Sequence, residues 1–443
     1  RNKMTEPITL FNKYQWWRGT SYGVHAGYDV PDARQRYLDL QINTLLVLDA
    51  DTNIVQWCYE HQINCIVRPY NLLEPRQGRD PNLWGLGVFV KWCIANGYPA
   101  YIQLGNEEPA SDDYMTWWQG CAETVIDNGG HPGVGAVFNQ DVGHFLWKLK
   151  ERGKLHYLTD NGFWVTHHGY PYNHPWDYPH DAKNQAEWPG SNIHTVFDQA
   201  NPRNRASYSL FGFLDTCYLI KKYLRELTGE SIPIPVISGE ALGGVDDEWY
   251  VDMRYPYPTR AFFMECTQKM IELFRQGKIT LGDMTYKLPD TYLGCCDWIM
   301  GDYRPGPVWR NEGLYVANED YYSSKLGQIV KCGRPEVVEY LTNLESFIRK
   351  FSWEGEQEEM DDYERIVSDI FNRANVVINP NDAFYKFIVK RLRETGELIF
   401  PLQSRDGFYY TQIRDWYVAY TQPMLWCRID NPADVKIGLP PFA

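Results

Sequence analysis

Between about Tyr14 and Lys350 the chain alternates short apolar runs with longer amphipathic stretches, and the pair recurs eight times. An apolar run of four to six residues bounded by turn residues reads as a strand buried on both faces. Parallel strands need a crossover between them, and the amphipathic stretches supply it as helices. The first strand is expected to end near Arg18-Gly19-Thr20-Ser21, and Pro31 to open a helix through Tyr37, Leu38 and Leu40. Strands follow at 43–48, 63–67 and 98–104, with helices at 54–61 and 86–95, the latter stopped by Asn96-Gly97. The second half reads as strands at 134–138, 163–166, 234–238 and 292–298. Its helices fall at 117–126, 145–150, 210–227, 262–276 and 337–349. Eight of each predict a (β/α)8 TIM barrel with long βα loops, in preference to an open doubly wound sheet. A chain of 443 residues has room for such a barrel of about 250 residues with long insertions.

Residues 351–443 read differently, as a C-terminal accessory region. An acidic run, Glu354 to Asp362, precedes a helix over 382–393 with Phe384, Phe387, Ile388 and Leu392 on one face. Aromatic-rich extended segments follow at 408–410 and 416–420. The domain expectation is therefore a catalytic barrel over 1–350 and an accessory region over 351–443.

Lys and Arg number 43 against 57 Asp and Glu, a net charge of −14. That balance argues against nucleic acid or an anionic membrane as partner and favours a neutral one. No apolar run is long enough to span a bilayer, and no signal-peptide pattern opens the sequence. The ten cysteines are spread through helix and strand patterns with no C-x-x-C pair, so they read as reduced core thiols. Seventeen Trp and 32 Tyr provide many flat apolar faces of the kind on which sugar rings stack, though about half of them are expected to be core.

Two strings place carboxylates where strand patterns stop. Leu104-Gly105-Asn106-Glu107-Glu108-Pro109 follows strand four, and Ser238-Gly239-Glu240 follows the run into strand seven. The C-terminal ends of barrel strands form the floor of the active-site cleft. Cleavage of a glycosidic bond needs one carboxyl to protonate the leaving oxygen and another to attack the anomeric carbon, roughly 5 Å away in retaining enzymes. Glu107 is read as the acid/base, Glu240 as the nucleophile, and Asn106 as a hydrogen-bond partner of the adjacent sugar hydroxyl. Glu108 is read as a rim residue pointing the other way.

These residues, with His168-Gly169-Tyr170 after strand six and Trp298 after strand eight, resemble the clan A glycoside hydrolases, the 4/7 superfamily that includes the family five cellulases and mannanases. The resemblance runs from Tyr14 to about Lys350. It implies a retaining, two-glutamate double displacement on an oligo- or polysaccharide, with no cofactor. It also implies that His168 and Tyr170 position the nucleophile and substrate, and that Trp298 floors the subsite where cleavage occurs. Many members carry an Arg at the end of strand two, where this chain has Leu46-Val47-Leu48-Asp49; Arg18 or Arg68 would have to replace it.

Aromatic residues near strands one, four, six, seven and eight, among them Trp17, Tyr22, Trp117, Trp118, Trp176 and Trp249, are expected to wall a long cleft suited to an oligosaccharide, with at least one of Trp117 and Trp118, which begin a helix, facing the core. His167, His168, His174 and His180, with Asp177 and Asp181, are read as a substrate-contacting loop; a metal-dependent hydrolase built on them is the alternative. A barrel that binds glycans without cleaving them is another, although such a cleft has no need of paired carboxylates.

Overall fold

A computed structural model describes residues 21–73, 80–136, 139–194, 209–230, 232–243, 252–303, 313–323 and 326–344, together with strands between 403 and 437. The chain divides into two compact units, Arg1–Gly355 and Glu356–Ala443. In the first unit the strands are β1 (Ser21–His25), β2 (Thr44–Leu48), β3 (Asn64–Arg68), β4 (Tyr101–Leu104), β5 (His131–Val134), β6 (Trp164–Gly169), β7 (Val236–Ala241), β8 (Lys278–Leu281), β9 (Met284–Lys287) and β10 (Tyr292–Asp297). Eight of them close a parallel barrel in the order β1-β10-β7-β6-β5-β4-β3-β2, while β8 and β9 form a separate hairpin. The TIM barrel expected from the alternation is the fold.

The helices are α1 (Ala33–Asp39), α2 (Thr52–Glu60), α3 (Tyr70–Leu73), α4 (Leu83–Ala95), α5 (Asp112–Asp127), α6 (Asn139–Glu151), α7 (Leu155–Asp160), α8 (Ala182–Glu187), α9 (Phe213–Thr228), α10 (Arg260–Gln276) and α11 (Pro335–Asn343). Their ends carry the local chemistry that helices need. The Ser111 and Thr259 side chains accept from the first-turn amides of α5 and α10. Gly229 and Gly277, both left-handed, end α9 and α10.

Strand parity sorts the core into two shells. Leu46, Ile66, Tyr101, Trp164, Ile237, Leu293 and Cys296 point into the barrel and fill it. Their neighbours, such as Leu45, Cys65, Ile102, Val165, Val236 and Cys295, point outward and pack under the helices. Gly133 makes room for the largest interior side chain, since a Cβ there would lie 2.2 Å from Trp164. The nine cysteines with described side chains are buried free thiols, as expected.

Three strand expectations need correction. The first barrel strand is Ser21–His25, downstream of the expected end near Ser21. It holds no long apolar run, because Gly23 occupies an interior position where a Cβ would meet the Thr44 carbonyl at 2.2 Å. The fifth strand is His131–Val134, three residues earlier than its apolar pattern suggests. The β8–β9 hairpin and a second one, β13 (Asp320–Ser323) with β14 (Gln328–Lys331), were not anticipated; between β10 and the second hairpin lies the short parallel pair β11 (Gly301–Asp302) and β12 (Tyr315–Val316). In the second unit β15 (Gln403–Arg405), β16 (Phe408–Ile413), β17 (Trp416–Ala419), β18 (Leu425–Arg428) and β19 (Asn431–Ile437) form one antiparallel meander, which contains the extended aromatic segments. The helix expected over 382–393 lies outside the described residues.

Candidate active site

Parity and two local distortions build the site at the C-terminal end of the barrel. In β3, Arg68 follows Ile66 by two residues and so points inward; in β1, His25 follows Gly23 in the same way. In β6, Trp164, Thr166 and His168 share the inward face, while His167 turns outward to Thr216 of α9, 2.9 Å away. β7 carries one extra residue relative to both neighbours, since His167 and His168 face Ser238 and Glu240, and Cys295 and Asp297 face Ser238 and Ala241. This bulge at Gly239 aims Glu240 into the cleft. Only glycine fits there, because a Cβ would lie 2.4 Å from Thr166 Cγ2. Glu240 therefore sits within the strand and not after it.

At the end of β4 the backbone turns sharply. Gly105 (φ 79°) and Glu107 (φ 55°) both adopt left-handed geometry, and a Cβ on Gly105 would strike the Tyr114 hydroxyl at 2.6 Å. A non-glycine residue held there costs on the order of 1 kcal/mol, a cost that persists only where the surroundings fix it. The turn lifts Asn106 and Glu107 over the barrel mouth. The charge of Glu108 acts on the Tyr114 phenol of α5, whose pKa burial already raises.

Glu240 is buried and held on both oxygens. Arg68 Nη1 donates to Oε1 at 2.8 Å, and the Tyr170 hydroxyl donates to Oε2. The same Arg68 nitrogen donates to Asn106 Oδ1 at 2.6 Å, and Arg68 Nη2 lies 3.1 Å from His25 Nε2. His25 Nδ1 is 3.0 Å from the Ala26 carbonyl, so Nδ1 carries the proton and Nε2 accepts from the guanidinium. Burial, then the Arg68 charge, push His25 down to about 3, which keeps it neutral. Tyr70 packs against the guanidinium, 4.9 Å from its ring centre.

His168 joins the two glutamates. Its Nδ1 is 2.8 Å from Glu107 Oε1 and 3.5 Å from Glu240 Oε2. Those oxygens are thus separated by no more than the two distances laid end to end. Burial lowers the basicity of His168, but the Glu240 charge and the hydrogen bond to Glu107 outweigh it and the net shift is upward. For Glu240, burial favours the neutral acid; His168, Arg68 and the Tyr170 hydrogen bond overcome this and bring it down to about 2. Glu240 is an anion throughout the neutral range. The Glu107 side chain is 34% exposed and that of Glu240 6%.

The structure brings together Asn106, Glu107, His168, Tyr170, Arg68 and Glu240, six of the residues read from the sequence. Of the two arginines left open, Arg68 takes the place beside Glu240, while Arg18 lies outside the described residues. Trp298 is buried with its ring edge-on to His25, centroids 4.4 Å apart. Trp17 lies outside the described residues. Trp176 instead packs against the core, with Lys269 of α10 over its ring at 4.6 Å. Trp118 is the one of the α5 pair that faces the core, fully buried against Phe145 and Phe163, and Tyr22, an expected cleft aromatic, is fully buried with its hydroxyl on Asp297. The histidine loop disperses: His174 pairs with Asp252 at 3.2 Å and His180 with the Tyr286 hydroxyl at 2.9 Å. Among the described residues no three His, Cys, Asp or Glu side chains converge as metal ligands. His25 was missed because the first strand was placed too early; a histidine two residues past an interior glycine is the signal for it.

No protein family and no curated protein matches the chain. Among solved structures it is similar to a β-mannanase from Streptomyces thermolilacinus, at 13% identity and a TM-score of 0.34, covering 70% of this chain and 89% of that one. It is also similar to a β-1,3-glucanase and allergen of Cryptomeria japonica pollen, at 13% identity and a TM-score of 0.40 over 71% and 98%. A third is a GH128 endo-β-1,3-glucanase from Amycolatopsis mediterranei in complex with laminaritriose, at 11% identity and a TM-score of 0.38 over 73% and 100%.

Proposed function

We propose that the chain is a retaining glycoside hydrolase in which Glu240 is the nucleophile and Glu107 the acid/base. The observation that carries this is the asymmetry of two carboxylates sharing one imidazole: Glu240 is buried and locked as an anion, while Glu107 is open to solvent and to a leaving group. Glu107 protonates the glycosidic oxygen as Glu240 attacks the anomeric carbon. The aglycone leaves with that proton, and a covalent glycosyl-enzyme forms. Glu107, now the base, takes a proton from water, which attacks the same carbon and releases Glu240. Arg68 and Tyr170 stabilise the carboxylate before attack and after release. Asn106, its amide oxygen fixed by Arg68, is positioned for the sugar hydroxyl beside the anomeric carbon.

Retention is part of this proposal: a retaining pair stands roughly 5–5.5 Å apart for direct attack, an inverting pair roughly 6.5–9.5 Å apart to admit a water. The substrate is a neutral oligo- or polysaccharide: Arg68, beside Glu240, is occupied by Glu240, Asn106 and His25, and Tyr170 and Tyr172 present paired rings 5.6 Å apart. Residues 351–443 form an accessory region without catalytic residues. The test is a pair of variants on a glycoside found by screening aryl glycosides and polysaccharides. Glu240→Ala abolishes turnover, whereas Glu107→Ala spares glycosides with good leaving groups and is partly rescued by azide. Near-wild-type activity in both variants refutes the assignment.

A further inference from the structure

Outside the cluster described above, Arg334, the residue before α11, is among the described residues the charged member of the largest fully buried side chains. It is 1% exposed, and its guanidinium reaches between the catalytic ends of β7 and β10. Nη1 donates to the Leu242 carbonyl at 2.9 Å and Nη2 to the Trp298 carbonyl at 2.8 Å. Nη1 also pairs with Asp297 Oδ1 at 2.8 Å, and Asp297 Oδ2 accepts from Tyr22 of β1 at 2.9 Å. One fork thus links β1, β10 and the end of β7 on the outward side of the wall that carries Glu240 inward.

The backbone it grips is strained. Leu242, two residues after Glu240, is left-handed at φ 59°. Gly243 follows under Trp298 and Tyr170, where a Cβ would lie 2.8 Å from Trp298 Cδ1 and 3.0 Å from Tyr170 Cε1. A non-glycine residue keeps such a backbone only where neighbours over-determine it. The Arg334 fork supplies that constraint, whereas the three donors of a lysine radiate from one nitrogen and do not span two diverging carbonyls.

We propose that Arg334, fixed by Asp297 and Tyr22, is a positioning residue that sets the turn after β7 and through it the aim of Glu240 and the seat of Trp298. This rests on the glycosidase reading only for its kinetic readout. Two variants separate positioning from simple stability. Arg334→Lys keeps the buried charge pair but loses the fork. Tyr22→Phe, Asp297→Leu and Arg334→Met together replace the whole network with apolar groups, which leaves no buried charge unpaired. Both are expected to melt cooperatively, with kcat on an activated aryl glycoside reduced about tenfold or more and KM within about threefold, because misplacing a reacting group by about 1 Å costs up to about 100-fold. Crystal structures of both variants are expected to have Leu242 relaxed from its left-handed turn and the Arg68–Glu240 contact lengthened. Wild-type kcat in both folded variants overturns the proposal, and so does an unchanged Leu242 turn with the 2.8 Å contact intact. Absence of turnover by the wild-type chain on every glycan overturns the glycosidase reading instead, and the crystal geometry still decides the role of Arg334.

Discussion

Replacing Arg68 by Met removes the charge that holds Glu240 and leaves a side chain of similar length in the same slot. Glu240 lies at about 2 against an ordinary 4.5. At 1.36 kcal/mol per unit that depression is worth about 3 kcal/mol of stability. Because the folded value is the lower one, this contribution is present above about pH 4.5 and is lost as pH falls toward 2. Removing one member of a buried pair costs about 3–5 kcal/mol, and here it also strips a donor from His25 and Asn106. In a barrel of this size the loss corresponds to a fall in Tm of roughly 4–7 °C. With Arg68 gone, burial is opposed by fewer groups, His168 foremost with His25 and Tyr170, so the acid limb of kcat/KM moves upward. The assay is a kcat/KM pH profile on an aryl glycoside beside a thermal melt at pH 7. A variant with the wild-type Tm and an unmoved acid limb refutes the electrostatic argument.

Tyr170→Phe deletes the phenol that donates to Glu240 Oε2 and is expected to lower kcat roughly 10–100-fold while costing about 1 kcal/mol in a denaturant melt. Gly243→Ala places a methyl against Trp298 and Tyr170, so the rings must move apart. Stability is expected to fall by about 1–3 kcal/mol in the same melt and kcat/KM to fall with it. Turnover is expected to survive exhaustive EDTA treatment, since His167, His168, His174 and His180 each serve a separate partner. Loss of activity restored by zinc or manganese, at unchanged Tm, contradicts that.

The barrel was legible because buried parallel strands are uniformly apolar and their crossover helices carry their own stop signals, as at Asn96-Gly97 and Gly229. The first strand was not, since its interior position is Gly23 and its outward ones are Tyr22 and Val24, too short a pattern against the aromatic residues upstream. Once β1 and β3 are placed, strict alternation puts His25 and Arg68 on the inward face at the catalytic end. The arginine question was therefore answerable from parity with Gly23 and Ile66 in hand. Glu240 was read as lying past its strand because the Gly239 bulge, which breaks alternation, depends on the closeness of Thr166 in the neighbouring strand. Trp176 and Tyr22 show the reverse failure: an aromatic near a strand end packs against Lys269 or onto Asp297 according to contacts far away in the chain.

The most direct measurement is capture of the covalent intermediate. A 2-deoxy-2-fluoro glycoside with a good leaving group, matched to a substrate found by screening, slows the second displacement more than the first and accumulates the ester. Intact-mass analysis followed by peptide mapping is expected to find one fluorosugar per chain, esterified to Glu240, and none in the Glu107→Ala variant at any other carboxylate. A fluorosugar on Glu107, or an enzyme that turns over its glycoside with an inverted first product and no adduct, contradicts Glu240 as the nucleophile.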